Sequence, residues 1–107
     1  MTPRTIALGV IAAVAAAQVA SAAVDHKITQ QNKEFSTKEM AIAAGDSITF
    51  MNSDEITHNV YSVTKGLEFE LRTQPPGKSD TIKFDKAGTL TVECAIHPKM
   101  KLKVTVK

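Results

Sequence analysis

Leu90-Thr91-Val92-Glu93-Cys94-Ala95-Ile96-His97-Pro98-Lys99-Met100-Lys101-Leu102-Lys103-Val104-Thr105-Val106 runs as two alternating segments on either side of a short connection. Leu90, Val92 and Cys94 share one parity against Thr89, Thr91 and Glu93, and Leu102, Val104 and Val106 share one against Lys101, Lys103, Thr105 and Lys107. Successive side chains on a strand point to opposite faces, so each segment reads as a strand with one buried face. The connection opens on a cysteine and carries a histidine and a methionine at intervals of three.

The same period of two recurs upstream. Ile48 and Phe50 alternate with Ser47 and Thr49; Phe69 and Leu71 alternate with Glu68, Glu70 and Arg72; Ile82 and Phe84 alternate with Thr81, Lys83 and Asp85. Turn-forming residues punctuate these runs at Ala44-Gly45-Asp46, Thr64-Lys65-Gly66, Gln74-Pro75-Pro76-Gly77 and Lys86-Ala87-Gly88. No segment keeps helical periodicity with a cap over three turns. The pattern predicts an all-β domain of about seven or eight short strands arranged as a two-sheet sandwich. Neither an internal repeat nor a linker divides it.

The first residues have a different character. Arg4 precedes an unbroken apolar run from Ile6 to Ala17, and Ala20-Ser21-Ala22 supplies small residues where a signal peptidase reads. The run is about a dozen residues, short of the roughly 20 that span a bilayer. Residues 1–23 are therefore expected to be a cleaved signal peptide, with cleavage after Ala22 or Ala23, and 24–107 a single exported domain in the periplasm. No cysteine follows the leader to take a lipid, so the exported chain is expected to be soluble and not inserted in the membrane.

Composition narrows the function classes. Thirteen basic residues against 11 acidic ones give a formal charge of +2, too balanced for a nucleic-acid binder. Four Phe, one Tyr and no Trp leave little for a stacking platform. A single Cys excludes an intramolecular disulfide and any metal site needing two thiolates. Small exported domains usually carry disulfides, so the lone thiol is either buried and inert or held by something else.

Its neighbours suggest what holds it. Cys94, His97 and Met100 stand in one connection, and His58, in Asn52-Ser53-Asp54-Glu55-Ile56-Thr57-His58-Asn59-Val60, opens a strand well upstream. One thiolate, two imidazoles and one thioether are the donor set of a blue copper site, a trigonal His₂Cys plane with a weak axial Met. Thiolate and thioether favour Cu(I), and imidazole also suits Cu(II), so both oxidation states stay bound. Zinc is less well matched, because a thioether is a poor ligand for it.

These residues resemble the cupredoxin family, in particular its small plastocyanin, pseudoazurin and amicyanin-like members. Gly45-Asp46-Ser47-Ile48-Thr49-Phe50-Met51-Asn52 followed by His58-Asn59-Val60 is similar to the family's G-D-x-V-x-F-x-N…H-N-V signature, and Cys94-Ala95-Ile96-His97-Pro98-Lys99-Met100 to its shortest ligand loop, C-x-x-H-P-x-M. The resemblance covers essentially all of 24–107. It implies a Greek-key sandwich, one type 1 copper ion on His58, Cys94, His97 and Met100, and a monomer that carries single electrons between exported redox proteins docking near His97. It also extends to plastocyanin-like proteins labelled as methylamine-utilisation proteins.

Ala95 departs from the family pattern, in which Ser or Thr often follows the ligand Cys and bonds the Asn after the first His. The backbone N–H of Asn59 remains available to the Cys94 sulfur, whereas Pro98 has no N–H to offer, and a low-to-middle potential for the class is expected. By analogy, His97 brings its ring edge to the surface within a patch drawn from Ile96, Pro98 and Met51, while Lys99, Lys101 and Lys103 face solvent. Two other readings compete: a periplasmic copper-binding protein for delivery or tolerance, and a thiol enzyme with Cys94 as nucleophile. A single closed site without a Met- or His-rich tract favours the carrier over the former. The enzyme reading is set aside because it leaves Met100 without a role. Cleavage after Ala23 would also place His26 third in the mature chain, a spacing that can wrap Cu(II) in nitrogen donors.

Overall fold

The computed structural model describes residues 22–107. The expected signal peptide lies almost wholly outside the described residues. Nine strands follow in order: β1 (Asp25–Gln31), β2 (Glu34–Phe35), β3 (Glu39–Ile42), β4 (Ser47–Asn52), β5 (His58–Ser62), β6 (Phe69–Gln74), β7 (Ser79–Lys83), β8 (Gly88–Cys94) and β9 (Lys101–Val106). They form a four-stranded sheet, β2-β1-β4-β7, and a five-stranded sheet, β3-β9-β8-β5-β6. The sandwich anticipated from the alternation is the observed fold. The count exceeds seven or eight because β2 is a two-residue arm that turns back on β1.

Alternation determines what the sheets bury. Ile48 and Phe50 of β4, Leu90, Val92 and Cys94 of β8, and Leu102, Val104 and Val106 of β9 are all at most 2% exposed. Their odd-even partners face outward, and the lysines of β9 reach solvent as expected. Phe69 bridges the layers, with its ring centroid 5.8 Å from Phe50 and 5.9 Å from Phe84. Burying a side chain of this size stabilises a fold by about 1.5–3 kcal/mol, so these positions supply most of the cohesion of a small domain.

The sheets are mixed. Two parallel pairs, β1 with β4 and β3 with β9, flank otherwise antiparallel ladders. The first of these is anchored by Asp46, which takes the backbone N–H groups of Val24 and Ala43 and meets His26 Nε2 at 2.9 Å. The same contacts bear on the amino-terminal copper site that cleavage after Ala23 would create. Val24, Asp25 and His26 are extended along β4, and wrapping a square-planar ion would require β1 to unzip from its partner.

Two features aim the site end of the sandwich. A bulge in the β5–β6 ladder sets Leu71 and Arg72 against Val60, with Arg72 in the left-handed region at φ 56°; such an extra residue bends and twists its strand. The β1–β2 hairpin closes on Asn32 and Lys33, both left-handed at φ 56° and 59°, the backbone that a two-residue type I′ turn requires.

Candidate metal centre

The spacing of three in the β8–β9 connection has a direct structural cause. The His97 N–H donates to the Cys94 carbonyl at 3.2 Å, and the Met100 N–H donates to the His97 carbonyl at 2.9 Å. The loop is thus two successive four-residue turns sharing His97, and each of its three candidate ligands sits at a turn end. Pro98 occupies the second position of the second turn, where its fixed φ is favourable. The Ala95 N–H donates to the Asn59 carbonyl at 3.2 Å, tying the loop to β5.

β5 delivers the remaining histidine. His58 opens that strand and is fully buried. Val60 of the same strand pairs with Cys94, which carries His58 to the cysteine's end of the sheet. Its Nδ1 lies 3.6 Å from Cys94 Sγ and 3.2 Å from His97 Nδ1, while Sγ and His97 Nδ1 are 3.9 Å apart. A triangle with these edges has its centre about 2.1 Å from every corner, within about 0.2 Å of ordinary metal–imidazole and metal–thiolate bond lengths. A first-row metal fits the donor set without rearrangement. Met100, 2% exposed, packs in the core at the end of the loop. His97 alone of the four is partly exposed, and its ring meets that of His58 edge-on at 4.9 Å.

Neighbouring groups set the orientation and charge of these donors. His58 Nε2 lies 2.8 Å from Asp54 Oδ2, so the ring proton sits on Nε2 and the Nδ1 lone pair is left facing Cys94 and His97. Asp54 also accepts the backbone N–H groups of Asn32 and Lys33. Burial alone would raise its pKa, but the Lys33 N–H, the His58 ring and the Asn32 N–H outweigh that and hold the carboxyl below its ordinary value. Lost hydration, the His58 ring and the Lys33 charge, opposed by Asp54, hold the His97 imidazole below its usual pKa. A lowered pKa keeps the ring neutral, the form that ligates a metal. The Asn59 N–H donates to Cys94 Sγ at 3.3 Å, the contact expected from the sequence.

In the sequence Asp54 stands out only as part of the stretch that leads to His58. Its place four residues before His58 was the available clue, but the contact with the hairpin turn exists only in the folded chain. Met51, by contrast, does not join the patch around His97. It projects from the outer face of β4 between Thr29 and Ser79, because Phe50 and Asn52 take the inward parity.

Comparison with known proteins agrees with this geometry. A sequence profile described as "Copper binding proteins, plastocyanin/azurin family" matches residues 22–107. Amicyanin of Paracoccus denitrificans is 33% identical over 96 residues, covering 87% of this chain and 72% of that protein. The methylamine utilization protein MauL of Methylorubrum extorquens is 31% identical over 87 residues, covering 80% and 76%. Among solved structures, a reduced amicyanin variant superposes with a TM-score of 0.71 at 27% identity, covering 85% of this chain and 88% of that one. A purple cupredoxin from Nitrosopumilus maritimus shares the fold at 21% identity, with a TM-score of 0.68 over 77% of this chain and 99% of that one.

Proposed function

Because the chain belongs to the plastocyanin/azurin family of copper-binding proteins, we propose that His58, Cys94, His97 and Met100 hold one copper ion and that the chain carries single electrons on it between redox partners. The observation that carries this reading is the closed triangle of His58 Nδ1, Cys94 Sγ and His97 Nδ1, with edges of 3.2, 3.6 and 3.9 Å. When bound, copper supplies a one-electron Cu(II)/Cu(I) couple.

The chain's own residues do the rest. Cys94 and His58 are held in ladder positions at the ends of β8 and β5, and His97 and Met100 in hydrogen-bonded turns, so the donor set resists rearrangement when the charge at its centre changes. Asp54 keeps His58 in the ligating tautomer, a carboxylate–histidine arrangement that orients the ring and raises its basicity. The Asn59 N–H withdraws electron density from the Cys94 sulfur. Met100, buried at the end of the loop, would offer its thioether as the fourth donor. His97 gives the electron its exit, since its ring is the only one of the four side chains in contact with solvent. Cys94 is 1% exposed, which leaves no approach for a substrate and favours a carrier over a thiol enzyme.

The working compartment is the periplasm, reached through the 1–23 leader, and the exported chain acts as a monomer. Among the described residues no helix is long and apolar enough to cross a membrane. Adding Cu(II) to the purified 24–107 chain tests the site. An intense visible thiolate-to-copper absorption, abolished in Cys94→Ser, is the expected result. A colourless adduct of full stoichiometry would contradict it and favour a storage role.

A further inference from the structure

One concavity borders His97 and a second neighbours it, the two sharing Glu34 and Lys99. One, of about 390 Å³, lies between the β1–β2 turn and the ligand loop and is lined by Lys33, Glu34, Ile96, His97 and Lys99 among others. The second, of about 140 Å³, continues from it past Glu34 and Lys99 to Lys38, Met100 and Lys101. Four lysines and a single glutamate therefore line a grooved surface made of these two neighbouring concavities, the first of which borders His97.

Among the described residues none of these four lysines closes an ion pair. All four lysines are exposed, and the ion pairs among the described residues involve other groups: His26–Asp46, His58–Asp54, Lys78–Asp80 and Lys83–Asp85. Lys101 faces Glu93 across the β8–β9 ladder without closing a pair, and the Asp54 carboxylate is engaged by His58 and by backbone N–H groups. A chain with a net charge of only +2 thus places four of its 13 basic residues on one groove. Lys33 is also fixed in place. Its backbone is clamped by Asp54 at 2.8 Å, and its charge is felt at the His97 ring.

We propose that this groove is the docking surface for a protein redox partner with an acidic face, its carboxylates meeting Lys33, Lys38, Lys99 and Lys101 while its redox centre lies over the His97 edge. The proposal rests on the copper reading given above and adds the partner's chemistry to it. Complementary charge accelerates encounter and selects partners more than it tightens the complex, which suits a carrier that must release its partner after each electron. Ile96, 52% exposed beside His97, supplies the small apolar contact of a transient interface. A protein partner fits this concave, one-sided charge better than an anionic membrane, because among the described residues no helix stands beside it to lay a broad apolar face on a bilayer.

Two readouts test the proposal. In the first, the ¹⁵N-labelled chain is titrated with hexaglutamate at low salt. Amide shifts confined to Asn32–Glu34, Lys38, Ile96, His97 and Lys99–Lys101, lost on adding salt, are expected. Shifts scattered over the surface, or none, would overturn the proposal, as would stronger binding to phosphatidylglycerol vesicles than to the peptide through the same lysines. This readout needs no electron transfer. In the second, the Cu(I) form is oxidised by hexacyanoferrate(III), one electron leaving the copper as hexacyanoferrate(III) becomes hexacyanoferrate(II), or by tris(phenanthroline)cobalt(III), which becomes the cobalt(II) complex. The Lys33→Glu/Lys99→Glu chain should react roughly five- to tenfold more slowly with the anion and faster with the cation. Lys86→Glu, at the far end of β8, should change neither rate. Equal effects on both oxidants would sink the docking surface while leaving the copper reading intact, whereas a chain that forms no blue copper adduct would sink that reading instead.

Discussion

The Asp54 carboxylate, 2.8 Å from His58 Nε2, ties a buried histidine to the turn of a neighbouring hairpin. The same carboxylate takes the N–H groups of Asn32 and Lys33, at 3.1 and 2.8 Å. One side chain thereby fixes the tautomer of His58 and the position of the β1–β2 turn that borders the exposed His97. Asp54→Ala removes both functions. Copper affinity should fall about 10–100-fold, the usual cost of losing a group that orients a metal-ligating histidine. Competition with a chelator of known affinity measures it. Asp54→Asn retains an acceptor for the ring proton and should recover most of the affinity, with a raised reduction potential because a negative charge near Cu(II) has gone.

Copper should act as the cross-link that a single-cysteine domain otherwise lacks. A ligand that binds only the folded state stabilises it by about 2.7 kcal/mol when present at 100 times its dissociation constant. For a domain of this size that is an increase of about 10–20 °C in Tm. Calorimetry of the metal-free and copper-loaded chain should show this difference, and Cys94→Ser should lose most of it.

Acid sensitivity should trace to Asp46. The His26 ring, then the N–H groups of Val24 and Ala43, lower its pKa from 3.8 to about 2. The folded value lies below the unfolded one, so the contribution is fully present above about pH 4 and is lost as the pH falls towards 2. Asp46→Asn should be less stable than the parent near neutrality and should lose less stability between pH 4 and 2. Thermal melts across that range measure the slope, and identical slopes in both chains would contradict the assignment.

A buried polar group beneath the site gives a fourth expectation. Gln74, fully buried at the end of β6, accepts from Gln30 Nε2 at 2.7 Å and donates to the Phe50 carbonyl and to Asp80. Gln74→Leu strands these partners away from water and should cost about 1–3 kcal/mol in urea unfolding. Adding Gln30→Leu should recover part of that loss, because the principal orphaned donor is then removed as well.

How far the sequence revealed this molecule depended on the chemistry of each inward face. β4, β8 and β9 were legible because Ile48, Phe50, Leu90, Val92, Leu102 and Val104 are all apolar at one parity. β1 to β3 did not stand out individually. β1 buries Ile28 and Gln30, β2 buries only Phe35 and β3 only Ile42, and none of these makes a run of apolar alternation. β5 buries His58 and Ser62 beside Val60, so polar residues hold inward positions there. The four candidate ligands were legible because a turn-forming loop fixes three of them at intervals of three and a strand start marks the fourth. Asp54 was not, since its role depends on a hairpin turn more than 20 residues away in sequence. The lysine groove was hidden for the same reason: Lys33 and Lys38 join Lys99 and Lys101 only when β2 closes against the ligand loop.

One copper ion on these four side chains is expected to carry one electron. Spectroelectrochemical titration of the copper-loaded 24–107 chain tests it most directly. A blue band should bleach and return reversibly, with one electron per chain and Nernstian behaviour for a one-electron couple. A band that does not return after reduction and reoxidation, or copper lost from the chain on reduction, would contradict it.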